Sequence, residues 1–395
     1  MKILVINCGS SSLKYQLIDS DSENVLAKGI CERIKLDGTL THQKTGGDKL
    51  TMQADMPDHS AAVKLVLDML TDSEQGAISS LDEIDAIGHR VVHGGEKFAK
   101  SAVITDEVLG TIEECNDLAP LHNPANLIGI RACMELMQGV PQVAVFDTAF
   151  HQTMPDYAYT YGIPYEYYEK YKIRRYGFHG TSHSFVSKRT AELLDRPLNE
   201  TKIIVCHLGG GASICAVEGG KSVDTTMGLT PLEGITMGTR SGNIDPAIIE
   251  YIAAKEDKSI AEIMSMLNKS SGVYGISGVS SDFRDLNKGI AEGNKRCDIA
   301  MKVFCYQAAK FIGGYAAAMN GVDAIAFTAG VGENDPVVRK LICDRLSYLG
   351  IWVDNEANSI RGEEVRISTE ASAVKVFVVP TNEELAIARE TASLV

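Results

Sequence analysis

The sequence predicts an α/β fold of two duplicated lobes, each a mixed sheet flanked by helices, on three observations. The chain has 395 residues, more than the roughly 250 to 300 at which a single hydrophobic core usually stops growing. Short β-branched runs alternate with stretches of helical period. A strand, small-residue turn, strand unit also occurs twice: Ile3-Leu4-Val5-Ile6-Asn7 before Gly9-Ser10-Ser11-Ser12, and Ile203-Ile204-Val205-Cys206-His207 before Gly209-Gly210-Gly211. Such long-period similarity points to two lobes of one plan with a ligand cleft between them.

Taken in order, Lys2 to Asn7 reads as a buried strand, Cys8 to Ser12 as a turn and Leu13 to Ile18 as the return strand. Alternating runs continue through Met52, among them Leu26 to Ile34 and Lys49 to Gln53, with turn signals at Asp37-Gly38 and Gly46-Gly47-Asp48. From about Ala61, Val63, Leu65, Val66, Met69 and Leu70 recur at helical spacing. Ile84 to Val92 and Val143 to Phe146 are further strands, separated by helices near Asp106 to Asp117 and Pro124 to Met137. The Tyr-rich stretch Tyr157 to Tyr171 is expected to cover an apolar surface. Lys202 to His207 and Ser213 to Val217 form the second hairpin, and Val374 to Val379 leads into a helix from about Glu383, with Asn382 or Thr381 as N-cap. The lobes are expected at residues 1–150, with a C-terminal helix at about 384–395 packing back on them, and at 151–383.

Lys and Arg total 38 against 52 Asp and Glu, a formal net charge of −14, which argues against nucleic acid or an anionic membrane as partner. The nine cysteines are scattered, with no C-x-x-C pair, and read as reduced, mostly buried thiols. Met1 to Asn7 turns polar too soon for a signal peptide, and no apolar run approaches the roughly 18 residues of a membrane helix. These features place the chain in the cytoplasm.

Chemistry concentrates at the turns. Gly-Ser turns expose several backbone N–H groups together, which suits a phosphate chain, although each alone reads more readily as a plain hairpin. Lys14, just past the first turn, favours the phosphate reading. A third cluster, Thr328 to Asn334, follows the strand Ala324 to Phe327 and opens a helix at Asp335-Pro336, whose N-terminus could hold a nucleotide phosphate or ribose. It lacks the third glycine of the dinucleotide fingerprint, and there is no G-x-x-x-x-G-K-[ST] loop, so nucleotide binding would need another architecture. Arg90 lies in an otherwise apolar strand, and a buried guanidinium needs an anion, either a protein carboxylate or a substrate carboxylate matched by its planar fork. Asp147 ends an apolar strand, where ligands gather in α/β sheets, or it is a cap.

His179 and His183 have the spacing of metal ligands on a helix, but without a Glu between them or a third ligand nearby, zinc is the weaker reading. His93, His122 and His183 read as structural. Arg240, in the polar loop Thr236 to Pro246, is either a phosphate clamp or an ordinary exposed arginine.

Taken together, N-C-G-S-S-S-L-K from Asn7, G-H-R-V-V-H-G-G-E from Gly88, F-D-T-A-F-H from Phe146, R-R-Y-G-F-H-G-T-S-H from Arg174, H-L-G-G-G-A-S from His207, T-P-L-E-G-I-T-M-G-T-R-S-G from Thr230 and A-G-V-G-E-N from Ala329 closely resemble the acetate kinase family, over Met1 to about residue 390. The resemblance implies the fold of the acetate and sugar kinase, heat-shock chaperone and actin superfamily, with actin-like ATPase lobes. It implies reversible transfer of the ATP γ-phosphoryl group to acetate, giving acetyl phosphate and ADP, with Mg²⁺ or Mn²⁺, in a homodimer of acetate metabolism. Carried over by position, it sets Asn7 and Glu383 near the metal and Ser10, Ser12 and Lys14 near the nucleotide phosphates. Nucleotide contacts extend to His207, Leu208, Gly209, Gly210 and Gly211, to Asp282, Phe283 and Arg284, and to Gly330, Val331, Gly332, Glu333 and Asn334. Arg90 would hold acetate, with Val92, Leu121, Phe178 and Pro231 around its methyl group, and Asp147, His179, Arg240 and Arg90 would form the catalytic set. One departure is Gly210, where the family commonly has Asn and butyrate kinases tend to carry Gly.

Acetate, with a pKa of about 4, is ionised at neutral pH and needs no general base. The role expected of Asp147 is therefore to orient metal-bound water or an arginine, although the family is often described as using it in proton transfer. The obstacle is two anions approaching, and the expected answer is Arg90 on the carboxylate, Arg240 and His179 on the phosphoryl group, and Mg²⁺ on the leaving ADP. A propionate or butyrate kinase would differ only in pocket volume. A nucleotide-driven binding protein, actin-like or chaperone-like, is the alternative of another class.

Overall fold

The computed structural model describes residues 1–120 and 122–395, and the chain divides into two compact units, Met1–Gln152 with Asn382–Val395, and Thr153–Thr381.

The first unit is built on an eight-stranded sheet: β1 Lys2–Cys8, β2 Ser12–Asp19, β3 Asn24–Glu32, β4 Thr39–Lys44, β5 Leu50–Gln53, β6 Ala86–Val91, β7 Ala102–Val103 and β8 Gln142–Phe146, in the order β5-β4-β3-β2-β1-β6-β8-β7. β1 pairs antiparallel with β2 and parallel with β6, and β6 runs parallel to β8. Ile3, Leu4, Val5 and Ile6 are all buried, as a continuous apolar run requires of a strand covered on both faces. Helices His59–Leu70 and Asn123–Leu136 contribute Val63, Val66, Leu67 and Cys133 to one core cluster, with Leu4, Ile6 and Leu17. A separate cluster sets Ile387 and Ala388 of the helix Glu383–Ala392 against Ile3, Val5, Val143 and Val145. That helix starts where it does because Asn382 Oδ1 accepts the Leu385 N–H at 3.0 Å, and Glu383 and Glu384 complement the positive end of its dipole.

The second unit repeats the plan in a six-stranded sheet: β9 Lys202–Leu208, β10 Ala212–Glu218, β11 Lys221–Thr225, β12 Ala324–Thr328, β13 Val365–Arg366 and β14 Lys375–Val378, in the order β11-β10-β9-β12-β14-β13. β9 pairs antiparallel with β10 and parallel with β12, which runs parallel to β14. The two hairpins also agree in detail. Asn7 faces Lys14 and His207 faces Ser213. Gly9 N–H donates to Ser12 O at 2.8 Å, and Gly209 N–H to Gly211 O at 3.0 Å. Helices Gly180–Leu193 and Lys295–Ala318 pack on this sheet.

One local expectation is met and extended, and one is corrected. The helix expected at Asp335-Pro336 is Pro336–Cys343, capped by Asp335, and the glycine cluster before it is itself helical, Ala329–Asn334. The Glu333 carboxylate favours this by accepting the Ala329 N–H at 2.8 Å. The Tyr-rich stretch does not simply cover apolar surface, for Tyr157 and Tyr165 are 84% and 58% exposed. All nine cysteines are buried. Among the described residues no helix is long and apolar enough to cross a membrane.

The fit of the helix Glu383–Ala392 on the first sheet depends on Gly88 in β6, where an added Cβ would lie 2.4 Å from Thr391 Oγ1 and 2.7 Å from Ile387 Cγ2. Gly88→Ala is expected to destabilise the protein by about 1–3 kcal/mol in urea unfolding. Gly110→Ala, in the helix Asp106–Glu114 with nothing within 4 Å of the new methyl group, should instead stabilise by about 0.4–1 kcal/mol.

Candidate active site

In the first unit the carboxyl ends of the parallel strands gather polar and charged groups: Asn7 near the end of β1, Arg90 near the end of β6 and Asp147 just after β8. Arg90 Nη2 donates to Asp147 Oδ2 at 3.0 Å. Its Nε is buried without a hydrogen bond, 3.9 Å from Glu383 Oε2. Of the two partners open to Arg90, the protein carboxylate is present, yet the fork is only partly used. Burial opposes the Arg90 charge, and Asp147 and Glu383 outweigh it, so its pKa is raised.

Glu383 bears the opposite strain. Burial first, and then the charges of Asp147 and Glu384, push its carboxyl up to about 7 against the pull of Arg90 and Lys14. Lys14 is ion-paired with Glu384 and half exposed. Ser10 is exposed, Ser12 is half-buried, and Val92 is buried. Leu121 lies outside the described residues.

The amide of Asn7 and the carboxylate of Glu383 offer hard oxygen donors, which suit Mg²⁺ bound through one or two protein groups with waters and phosphate completing the shell. Among the described residues no group of three or more His, Cys, Asp or Glu forms a metal cage. Burial, and after it the nearby charges of Asp147 and Glu384, disfavour the ionised Glu383 carboxylate, a penalty that a divalent cation relieves. The residues therefore fit Mg²⁺.

In the second unit the glycine turn Gly209–Gly211 meets two side chains. A Cβ at Gly211 would lie 3.4 Å from Arg240 Nη1 and 3.7 Å from His179 Nε2. The Arg240 loop rests directly on the turn, since Gly238 N–H donates to Gly210 O at 3.1 Å and a Cβ at Gly238 would come within 3.0 Å of that oxygen. Arg240 is half-buried, not the exposed loop arginine of the plain reading, and Nη1 donates to Pro231 O at 3.2 Å. Among the described residues no carboxylate lies within ion-pair distance of it, and burial alone lowers its pKa.

His179 sits in the left-handed region (φ +58°) at the start of the helix Gly180–Leu193. Its Nδ1 is 2.8 Å from Ser213 Oγ, which is 2.7 Å from His183 Nε2. The ring stacks on His207 with centroids 4.1 Å apart. These partners orient the two histidine rings. Phe178 is buried in the same unit, and Pro231 serves through its carbonyl.

Beside this turn a cavity of about 870 Å³ is lined by Gly209 and Gly210, by Asp282, Phe283 and Arg284, and by Gly330, Val331 and Asn334. A Cβ at Gly210 or Gly330 would meet nothing within 4 Å. Such a volume suits a nucleotide-sized ligand. Other residues from the same motifs are used differently. His207 hydrogen-bonds Ser182 Oγ at 2.8 Å, and the Glu333 carboxylate takes the N–H groups of Ala329 and Thr381. Leu208, Gly211 and Gly332 do not line the cavity. Arg284 folds onto Asp282, with Nη2 2.6 Å from Oδ2.

Four participants were not singled out from the sequence. Ser213, inside the H-L-G-G-G-A-S motif, aligns two histidines; the motif could have flagged it. Asn287 and Arg361 line the cavity without any motif. Arg339, fully buried, donates to Gly332 O and Glu333 O at 2.9 Å each and to Asn358 Oδ1 at 2.9 Å, which rivets the Ala329–Asn334 helix to the segment preceding Arg361.

A family model described as the acetokinase family matches residues 2–389. The acetate kinase of Agathobacter rectalis is 66% identical over 396 residues, covering 100% of both chains. Among solved structures, the acetate kinase of Porphyromonas gingivalis is 48% identical with a TM-score of 0.97, covering 100% of this chain and 99% of that one. A propionate kinase from Francisella tularensis is 44% identical with a TM-score of 0.93, each chain covered fully, at 100%.

Because the Glu383 carboxyl is raised to about 7 in the folded protein, its contribution to stability is fully present below about pH 4.5 and is lost as pH rises through 7. Glu383→Gln should therefore gain melting temperature relative to the unsubstituted protein between pH 5 and pH 8. Mg²⁺ added at pH 8 should raise the melting temperature of the unsubstituted protein more than that of the variant. A pH-independent difference would contradict the assignment.

Proposed function

The chain belongs to the acetokinase family, and from that premise we propose that it transfers the γ-phosphoryl group of ATP reversibly to acetate, giving acetyl phosphate and ADP. The observation that carries the reading is Arg240, a half-buried guanidinium with no carboxylate partner among the described residues, resting against a glycine turn and beside His179. A protein keeps such a charge where an anion arrives from solution, since an uncompensated buried cation is costly. The developing charge of a phosphoryl group is suited to its guanidinium and to His179, whose ring Ser213 holds in place.

Acetate arrives already ionised, so no proton need be removed from it. In this reading Arg90 takes the carboxylate, and its buried Nε donor, which makes no hydrogen bond, supports it. Asp147 acts as the group that aligns Arg90 through Nη2, not as a base. The nucleoside end of ATP takes the cavity at Gly209, Phe283 and Gly330. Mg²⁺, held through Asn7 and Glu383, would supply positive charge to the nucleotide phosphates. Val92, Phe178 and Pro231 are the groups assigned to the methyl of acetate. With two repelling anions matched by two arginines, direct in-line transfer requires no covalent enzyme intermediate.

A longer acceptor is the second reading, favoured by the likeness to the Francisella propionate kinase. One methylene changes binding by only about 1–3 kcal/mol, so kcat/KM for acetate, propionate and butyrate measured side by side decides between them. A cytoplasmic homodimer belongs to the proposal, and the exposed Tyr157, Tyr165 and Tyr171 support a subunit surface. Sedimentation of the purified protein tests it.

Incubation with ATP, Mg²⁺ and acetate, with hydroxylamine to trap acyl phosphate, tests the activity itself. Arg240→Ala is expected to lower kcat by a factor on the order of 10³ to 10⁵, with a much smaller change in KM for ATP. A raised KM at normal kcat would overturn its role. Arg90→Ala should chiefly raise KM for acetate.

A further inference from the structure

The turn at residues 8–12 of the first unit has its carbonyl oxygens tied back into the protein. Cys8 O accepts Asn126 Nδ2 at 2.7 Å, and Gly9 O lies 2.7 Å from His59 Nε2. Ser11 O accepts the Ile34 N–H at 3.0 Å, and Ser12 O accepts the Gly9 N–H at 2.8 Å. The N–H groups of Ser10 and Ser11, by contrast, donate to nothing among the described residues, and both residues are exposed.

A peptide unit is planar and trans, so its C=O and N–H point to opposite sides. The carbonyl of Gly9 and the N–H of Ser10 belong to one such unit, and whatever holds the first inward aims the second outward. The group that holds it is His59. Its side chain is 1% exposed, and a carbonyl oxygen only accepts, so Nε2 carries the proton. Nδ1 is buried and makes no hydrogen bond, so the ring's polar contact is spent on Gly9. The fold places this ring: His59 opens the helix His59–Leu70, whose start is fixed by Asp58 Oδ1 accepting the Ala61 N–H at 2.8 Å. Without the His59 donor, the peptide unit is free to turn over and present its oxygen to an incoming anion.

Resting on the nucleotide-dependent transfer proposed above, we infer that His59 is a positioning residue for the nucleotide phosphates, aiming the Ser10 N–H at a phosphate oxygen without touching the ligand. An amide so aimed donates a charge-assisted hydrogen bond, and its direction is set before the ligand arrives.

Titration of ATP and of adenosine, which has no phosphate, tests this, with KM for ATP and for acetate read from the hydroxylamine assay. His59→Leu removes the donor, whereas His59→Gln keeps one in its side-chain amide. His59→Leu should weaken ATP by about 10-fold, the loss of one hydrogen bond to a charged group, and adenosine by less than about twofold. KM for ATP should rise with it while KM for acetate stays within about twofold. His59→Gln should bind ATP within about threefold of the unsubstituted protein. A merely structural role would weaken both ligands together. Unfolding midpoints of both variants verify the fold. In the unsubstituted protein, isotope-labelled at serine, the Ser10 amide resonance should move on adding ATP and stay in place with adenosine, a measurement that needs no variant to fold.

Undiminished ATP binding in His59→Leu, equal weakening of ATP and adenosine, a His59→Gln variant as weak as His59→Leu, or a Ser10 amide unmoved by ATP would overturn the inference and leave the kinase reading standing. The expected binding results without any acyl phosphate formed would leave the positioning role standing and overturn the kinase reading instead.

Discussion

A half-buried positive charge with no carboxylate beside it among the described residues is the constraint on which the second unit depends. A buried guanidinium normally pairs with Asp or Glu. Among the described residues Arg240 donates to the Pro231 carbonyl and the Met237 sulfur alone, and burial lowers its pKa. The neighbourhood is arranged to bring backbone donors to the same place. Gly238 allows the arginine loop to lie on Gly210, and Gly209 to Gly211 turn without side chains that would fill the space. In a partly dehydrated setting, a charge so placed acts on an incoming anion far more strongly than it would in water.

Three arginines in this chain show how partner chemistry sets role. Arg90 is held by Asp147 and lies near Glu383, so its charge is largely compensated and its direction is fixed. Arg339 is buried among neutral oxygens of Gly332, Glu333, Asn358 and Ile360; desolvation lowers its pKa to about 10, and its planar fork works as a fastener. Arg240 alone of the three is neither compensated by a carboxylate nor spent on fastening. The same functional group thus serves as a ligand held ready, a structural pin and an uncommitted charge, and the difference lies wholly in what surrounds it.

Much of the fold was legible in the sequence, for definite reasons. β1 and β9 are read easily because strands buried on both faces must be continuously apolar, and the hairpins after them because glycine and serine mark tight turns. The cap at Asn382 follows from its position before an amphipathic run. Other features depend on which segments meet in space. Whether Arg90 faces a protein carboxylate or a ligand could not be decided from an apolar strand alone. Glu333 carries a motif, but its carboxylate is drawn to the N–H groups of Ala329 and Thr381, a choice set by the path of the chain after β14. Asn287 and Arg339 lie outside every motif, in the helices Phe283–Ala291 and Pro336–Cys343, and only packing gives them meaning.

The discontinuity of the first unit bears on how the molecule is made. Asn382–Val395 belongs with Met1–Gln152, while Thr153–Thr381 lies between them in the chain. On the ribosome, the first sheet emerges well before Ile387 and Ala388, so Ile3, Val5, Val143 and Val145 wait with that face uncovered until the whole second unit has been synthesised. Glu383 arrives beside Arg90 at the same late moment. Nascent chains would therefore pass through an interval of exposed apolar sheet in which chaperone engagement, or stalling of translation, matters more than it would for a protein whose halves finish in turn.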